Sequence, residues 1–160
     1  MHELTANIKQ WGQELGFQQI GITDTNLARY EARFLEWLAK GMHGEMDYMA
    51  KHGTKRSRPA ELLPDTIRII SARMDYFPPG NDAPRVLQND KQAYISRYAL
   101  GRDYHRLMRK RLEQLARKIS AAAQPMGYRA FCDSAPVLEK AIAEKAGLGW
   151  QPLCRLTKNA

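Results

Sequence analysis

Cysteine is scarce in this 160-residue sequence, which contains only Cys132 and Cys154. Two cysteines are too few for a disulfide scaffold, a zinc site built from cysteines or an iron–sulfur cluster. Long apolar runs are also missing: no window approaches the roughly 18 apolar residues of a membrane span, and the amphipathic N-terminus has no signal-peptide core. The sequence therefore predicts a cytoplasmic protein without a membrane partner.

The common catalytic motifs are missing as well. The sequence has no GxGxxG, GxxxxGK[ST], CxxC, HExxH or GxSxG pattern, which removes the most frequent nucleotide, zinc and acyl-transfer functions. One near miss runs from Asp103 to Met108 and is similar to the Asp-x-His-x-x-Gly motif of some cobalamin-binding mutases. Because Met108 replaces the glycine and the segment begins a helix, this near miss predicts no site, and no metal ligands are predicted.

Composition and periodicity predict one globular domain of α+β (mixed α/β) class. Apolar residues make up 44% of the chain and charged residues 26%, as in ordinary soluble domains. Apolar spacing and stop signals predict alternating helices and strands. The predicted helices are Leu4–Leu15, a segment capped by Asp24 or Thr25 and ended by Gly41, Arg102–Ala123, and a segment from Pro136 to Gly147; the predicted strands are Phe17–Thr23, Thr66–Phe77 and Tyr128–Cys132.

Positive charge is concentrated in one segment of a chain whose formal net charge is +8. Between Arg97 and Lys118, eight basic residues stand against two acidic ones, a net of +6. A positive helix face attracts polyanions such as nucleic acid through a salt-dependent field. The alternative is an ordinary solvated helix face, and the residues alone leave both open. The candidate nucleic-acid contacts are Arg102, Arg106, Arg109 and Lys110.

Asp133 is the most suggestive single residue, because it follows a predicted strand and precedes a predicted helix. A partly desolvated carboxyl there could deliver a proton. It could instead cap the helix beginning near Pro136, since aspartate satisfies free N–H groups at helix starts. A helix N-terminus would also favour the ionised form. Residue physics alone favours the cap.

Four ordered blocks of sequence resemble one known family. They are Lys55-Arg56-Ser57-Arg58-Pro59 with Leu62-Leu63-Pro64; Ser96 to His105, SRYALGRDYH; Phe131 to Pro136, FCDSAP; and Ala143 to Trp150, AEKAGLGW. Together they resemble the N-terminal part of epoxyqueuosine reductase, from about Ile8 to Trp150. The resemblance implies a cobalamin-binding domain of nitroreductase-like fold over residues 1–150.

The resemblance also implies an enzyme of tRNA modification. Epoxyqueuosine reductases are oxidoreductases that complete queuosine synthesis by removing the epoxide oxygen of epoxyqueuosine at the anticodon wobble position. They use cobalamin and two 4Fe–4S clusters, which a ferredoxin-like domain carries, and helical repeats help to hold the tRNA. The implied partners are therefore a tRNA carrying epoxyqueuosine and an electron donor, and we expect a monomer.

The resemblance assigns roles to individual residues. Asp133 matches the family's proposed proton donor and faces the cofactor. Arg56 and Ser96 match positions that line cobalamin, and Tyr104 and His105 are assigned to the same pocket.

The end of the chain departs from the family pattern. After Trp150 the sequence reads QPLCRLTKNA, where the family continues differently, and the cysteine-rich and helical-repeat domains are missing. We therefore expect residues 151–160 to be a divergent tail from a frameshift or truncation, and the chain to bind cobalamin without completing turnover alone. The alternatives are a non-catalytic basic tRNA-binding domain and a flavin-binding nitroreductase-like module.

Overall fold

The computed structural model describes residues 2–76, 82–123 and 126–149, and for His2 the backbone only. Six helices and two strands follow one another in these residues. In chain order they are α1 (His2–Glu14), β1 (Gln19–Thr23), α2 (Ala28–Ala39), α3 (Pro59–Leu62), β2 (Ile69–Arg73), α4 (Ala83–Leu87), α5 (Tyr104–Ala122) and α6 (Glu139–Lys145), with single 3₁₀ turns at Asp47–Met49, Gly53–Arg56 and Arg97–Ala99.

A two-stranded antiparallel sheet lies between helices on both faces. Strands β1 and β2 pair from Gln19 with Arg73 to Thr23 with Ile69. Side chains alternate across a strand, so Ile20 packs into one cluster with helices α1 and α5, whereas Gly21 faces the end of α6. A methyl group on Gly21 would lie 2.5 Å from the carbonyl oxygen of Ala146, so only glycine permits this close approach.

Two apolar clusters hold the helices on the sheet. On the α1 and α5 side, the buried residues are Ile8, Phe17, Ile20, Leu115 and Ile119. On the opposite side, Leu27, Val137 and Ile142 are buried together, with Phe131 and Ile69 packed against them. The second cluster anchors the chain on both sides of Asp133, at Phe131 and at Val137.

The described structure confirms a mixed α and β architecture and most of the predicted long elements. Helices α1 and α5 and strand β1 lie where periodicity predicts them, and Gly16 ends the α1 region with a φ of 84°. Strand β2 is confirmed over Ile69–Arg73, shorter than Thr66–Phe77, and Phe77 lies outside the described residues.

Two predicted helix starts and one predicted strand are wrong. Helix α2 begins at Ala28, with Leu27 at its N-cap rather than Asp24 or Thr25; the Asp24 carboxylate instead accepts the backbone N–H of Asn26. The segment 128–132 is not a strand, because it pairs with no other strand in the described chain. Helix α6 begins at Glu139, three residues after Pro136.

None of the described helices is long and apolar enough to cross a membrane. The predicted tail at 151–160, with Cys154, lies outside the described residues, as does Trp150.

Candidate active site

Asp133 lies in the loop between α5 and α6, on an exposed turn. Its backbone adopts a left-handed conformation with a φ of 56°, which is uncommon for a residue with a side chain but tolerated by aspartate. Buried Cys132 precedes it, and buried Val137 follows four residues later, so the core holds both arms of the turn. The side chain of Asp133 is 48% exposed. Because residues 128–132 do not form a strand and α6 begins at Glu139, Asp133 lies neither at a strand end nor at the cap of α6. This corrects the position predicted from the sequence.

The first turn of α5 supplies two partners for the Asp133 carboxylate. The hydroxyl of Tyr104 donates a hydrogen bond of 2.6 Å to Oδ2, and Nε2 of His105 lies 3.3 Å from the same oxygen. The two rings stack with centroids 4.1 Å apart, which lets neighbouring residues of a helix reach one atom. The structure thus brings Tyr104, His105 and Asp133 together.

Asp103 organises this first turn. As N-cap of α5, its Oδ1 accepts the backbone N–H of His105 at 3.0 Å, which satisfies one of the free N–H groups of the helix. The same oxygen lies 2.7 Å from Nδ1 of the His105 ring. The imidazole is consequently held between two carboxylates, Asp103 and Asp133, and its orientation is fixed from both sides.

Tyr104 and Cys132, two groups beside Asp133, have raised pKa values. The hydrogen bond to Asp133, and then desolvation, raise the pKa of Tyr104 to about 12, so its phenol remains a donor at neutral pH. Burial, and then the charge of Asp133, raise the pKa of the Cys132 thiol to about 11. Cys132 is accordingly a neutral, buried thiol, and its Sγ lies 3.8 Å from Oδ2 of Asp133.

Glu139 is the site residue that sequence reasoning missed. Desolvation, and then the charge of Asp133, raise the pKa of the Glu139 carboxyl from 4.5 to about 7. Glu139 is exposed at the residue level, yet the protein atoms around its carboxyl remove enough water to produce this shift. No spacing rule connects Glu139 to Asp133; only the fold of the intervening loop places Glu139 where the charge of Asp133 acts on it.

A row of tyrosines leads from this cluster to an open groove of about 860 Å³. Tyr104 meets the ring of Tyr98 edge-on at 6.3 Å, and Tyr98 meets Tyr76 edge-on at 6.4 Å. Tyr76, Tyr98 and Ser96 all line the groove. Ser96, which is predicted to contact a cofactor, therefore lies on the wall of the groove together with Tyr98, and the Tyr98 ring contacts the Tyr104 ring.

Arg56, which is also predicted to contact a cofactor, uses its side chain to bind the protein's own backbone. It is buried, and its guanidinium donates to the backbone carbonyls of Met49 at 3.0 Å and Tyr48 at 2.7 Å. Its own carbonyl accepts the N–H of Leu138 at 3.0 Å. Arg56 thus supports the loop that carries Asp133, and its side chain is not among the groups gathered at the carboxylate.

The predicted nucleic-acid contacts lie on the exposed side of α5 and in the turn before it. Arg102, Arg106, Arg109 and Lys110 are all exposed, and none forms an ion pair with another described residue. In contrast, Lys118 at the far end of α5 pairs with Glu14 at 2.9 Å. Unneutralised charge is therefore concentrated at the end of α5 that also carries Tyr104 and His105.

The described residues do not fit an iron–sulfur cluster. They hold no group of three or more His, Cys, Asp or Glu side chains arranged for a metal ion. Their only cysteine, Cys132, is buried and neutral, whereas cluster ligands are thiolates.

Comparison with known proteins shows what this chain is similar to. The family model described as "Epoxyqueuosine reductase QueG, DUF1730" matches residues 56–134, a range that includes the groove residues, the first turn of α5 and Asp133. Epoxyqueuosine reductase of Pseudomonas aeruginosa is 64% identical over 147 residues, and that of Escherichia coli is 55% identical over 150 residues. The chain is a relative of the epoxyqueuosine reductases.

The match to epoxyqueuosine reductases covers most of this chain and a smaller share of the relatives. It includes 92% of this chain but 41% of the Pseudomonas aeruginosa protein, and 94% of this chain but 40% of the Escherichia coli protein. The chain thus spans about 40% of the length of these oxidoreductases.

Solved epoxyqueuosine reductases share the fold. The enzyme from Streptococcus thermophilus superposes with a TM-score of 0.76 at 23% identity, covering 91% of this chain and 39% of that one. An epoxyqueuosine reductase crystallised with an epoxyqueuosine-modified tRNA-Tyr stem loop gives a TM-score of 0.77 at 22% identity, covering 93% of this chain and 39% of that one. These structures confirm the architecture described above.

Proposed function

We propose that this chain is the cobalamin-binding, proton-donating part of an epoxyqueuosine reductase, in which Asp133 protonates the oxygen released when the epoxide opens. The observation that carries the proposal is the position of the Asp133 carboxylate. It is solvent-accessible, held at Oδ2 by Tyr104 and His105, and connected to a groove through the Tyr98 ring. The similarity of the chain to the epoxyqueuosine reductases supports the choice of reaction.

The groove suits a broad, flat cofactor. Cobalamin presents a large corrin ring, and such ligands bind against apolar and aromatic walls with a few polar groups to fix their orientation. Tyr76 and Tyr98 supply aromatic wall, and the Ser96 hydroxyl supplies a polar contact. Bound cobalamin in its reduced state would supply electrons to the epoxide-bearing carbon. Iron–sulfur clusters would require cysteines that this sequence does not contain.

The step that this chain's own residues would carry out is a proton transfer. Opening an epoxide leaves an alkoxide, and a positioned carboxylic acid speeds such a step by about 10²–10⁴-fold. Tyr104 and His105 would hold the Asp133 side chain in one orientation toward the groove. The exposed cations of α5 would meet the phosphates of a tRNA substrate beside the same site.

Two experiments test this proposal. Purified chain mixed with cobalamin should change the visible spectrum of the cofactor; an unchanged spectrum together with yellow protein after incubation with flavin would favour a flavin-binding module instead. In a full-length enzyme carrying this sequence, Asp133→Asn should keep cobalamin binding and lose epoxide reduction. Asparagine tolerates a positive φ, so this change leaves the backbone in place.

A matched control is available for the aspartate substitution. Asp65 is also exposed and also has a positive φ, of 62°, but it lies in the segment before β2. Asp65→Asn should leave turnover unchanged. Equal turnover of Asp133→Asn and wild type would reduce Asp133 to a loop residue.

A further inference from the structure

The His105 ring lies between two carboxyl groups at the start of α5. Its Nδ1 is 2.7 Å from Oδ1 of Asp103, and its Nε2 is 3.3 Å from Oδ2 of Asp133. The Asp103 oxygen also accepts the backbone N–H of His105 at 3.0 Å, so one carboxyl holds both the ring and the helix turn that carries it. Both ring nitrogens therefore face a carboxyl oxygen.

A neutral imidazole does not suit both contacts. It carries one N–H and one lone pair, and an ionised carboxylate can only accept hydrogen bonds. The hydrogen bond from the His105 side chain, and then the one from its backbone, lower the pKa of the Asp103 carboxyl, so Asp103 is ionised and the Nδ1 atom beside it must carry a proton. Nε2 then presents a lone pair to Oδ2 of Asp133 unless a second proton lies between these two atoms.

We propose that His105 and Asp133 share one proton, which His105 supplies each time Asp133 protonates the substrate, and that Asp103 is the positioning residue that keeps the other proton on Nδ1. The proposal rests on the proposed function of Asp133 as proton donor. An aspartate alone in water is almost fully ionised at pH 7, whereas an imidazole gains and loses protons between about pH 5 and 8. His105 thus gives an exposed aspartate a source of protons at neutral pH.

The rest of the cluster is compatible with a shared proton. Tyr104 donates to the same Oδ2 at 2.6 Å, and a carboxylate oxygen can accept two donors. The side chains of His105 and Asp133 are 40% and 48% exposed, so solvent protons reach both. Glu139, whose pKa burial raises to about 7, can also change its charge near neutral pH. The other titratable or charged groups that act on the cluster are Tyr98, Arg106, Arg109 and Cys132.

The proton balance has two steps. The shared proton moves from Nε2 of His105 to Asp133, which breaks an N–H bond and forms an O–H bond. The O–H bond of Asp133 then breaks as a new O–H bond forms on the alkoxide, which leaves a neutral imidazole facing an ionised carboxylate. Repulsion between the Nε2 lone pair and this carboxylate favours uptake of one proton from solvent, which restores the pair. No electron passes between His105, Asp133 and the alkoxide.

Nitrogen NMR of the chain with ¹⁵N-labelled histidine shows where the protons lie, without any cofactor. The His105 signals are assigned by their loss in His105→Gln. As the pH rises from about 5 to about 9, Nδ1 should keep its proton and Nε2 alone should lose one. In Asp133→Asn the Nε2 proton should be lost at lower pH, because its acceptor is no longer charged.

Asp103→Ser separates the two carboxyls. Serine keeps the N-cap of α5 but removes the acceptor of Nδ1, so the proton of the neutral ring should move to Nε2, which still faces Asp133. Glu139→Gln is the control and should leave the proton on Nδ1. A wild-type neutral ring protonated at Nε2, or an Nε2 titration that does not move in Asp133→Asn, overturns the proposal.

Turnover of the full-length enzyme separates the role of His105 from that of Asp133. His105→Gln keeps an N–H donor but supplies no proton, so turnover at pH 7 should fall at least about tenfold while cobalamin binding persists. His52→Gln, at an exposed histidine in the segment before α3, should leave turnover unchanged. Wild-type turnover in His105→Gln refutes the role of His105, whereas an active Asp133→Asn refutes the proposed function itself.

Discussion

At the scale of single residues, Glu31 shows how one carboxylate joins two parts of the chain. Its Oε2 accepts the hydroxyl of buried Ser57 at 2.6 Å and Nε of Arg58 at 2.9 Å. Arg58 first, and then Ser57, lower the pKa of Glu31 to about 2. Helix α2 is thereby tied to the segment that leads into α3, whose neighbour Arg56 supports the loop of Asp133.

The depressed pKa gives a pH-dependent prediction. A lowered pKa means that Glu31 stabilises the fold above pH 4.5 and that this stability is lost as pH falls toward 2. Glu31→Gln should therefore lower the urea midpoint of unfolding at pH 6, and the difference from wild type should disappear toward pH 2. Glu36→Gln, which removes only an exposed pair with Lys40, is the control and should change the midpoint less.

Individual residues also show where sequence reasoning stops. Asp133, Tyr104 and His105 could be selected from sequence blocks, and the structure brings all three together. Arg56 was selected by the same blocks, but its guanidinium faces two backbone carbonyls. Glu139 could not be found, because its significance depends on the path of a five-residue loop that no local pattern encodes.

At the scale of elements, helix α5 carries both the core and the site. Its buried face contributes Leu115 and Ile119 to the cluster on β1, while its first turn presents Tyr104 and His105 to Asp133. Periodicity predicted this helix well because its apolar residues recur at helical spacing. Leu107, near the start of the same helix, is 45% exposed.

The two leucines of α5 provide a matched pair of variants. Leu115→Ala should lower the free energy of unfolding by about 2–5 kcal/mol, since it leaves a cavity in the core. Leu107→Ala makes the same chemical change at an exposed position and should cost less than about 0.5 kcal/mol. Urea denaturation followed by circular dichroism measures both. Similar losses for the two variants would mean that α5 packs with a different face toward the sheet.

Short elements were predicted less well than long ones. Residues 128–132 carry a strand-like composition, but strand formation requires a partner edge, and the described sheet consists of β1 and β2 alone. The start of α6 was misplaced because Pro136 is a typical first helical residue, whereas here the chain first buries Val137 and then turns helical at Glu139.

At the scale of the whole molecule, the charge distribution predicts how the protein meets a polyanion. Reversing Arg106, Arg109 and Lys110 to Glu should weaken binding of an anticodon stem loop by at least about tenfold at low salt and flatten the dependence of affinity on salt. Fluorescence anisotropy over a salt series measures both quantities. An unchanged affinity would mean that this face of α5 is only solvated.

The control for this experiment changes the net charge equally at another surface. Lys9, Arg33 and Lys51 are exposed and lie outside α5. Their reversal to Glu should leave the affinity much closer to wild type, because screening limits charges that are more than about 8–10 Å from the nucleic acid. Equal losses in the two triple variants would indicate attraction by net charge rather than a defined binding face.

The left-handed backbone of Asp133 has a consequence for how this region can change. With a φ of 56°, the position suits glycine better than any residue with a β-carbon, so aspartate there costs on the order of 1 kcal/mol. Selection for stability alone would favour glycine at this turn. On the proposed role of Asp133 as proton donor, thermostabilising design and catalysis therefore pull in opposite directions at this turn, and computational redesign of the loop should keep residue 133 fixed.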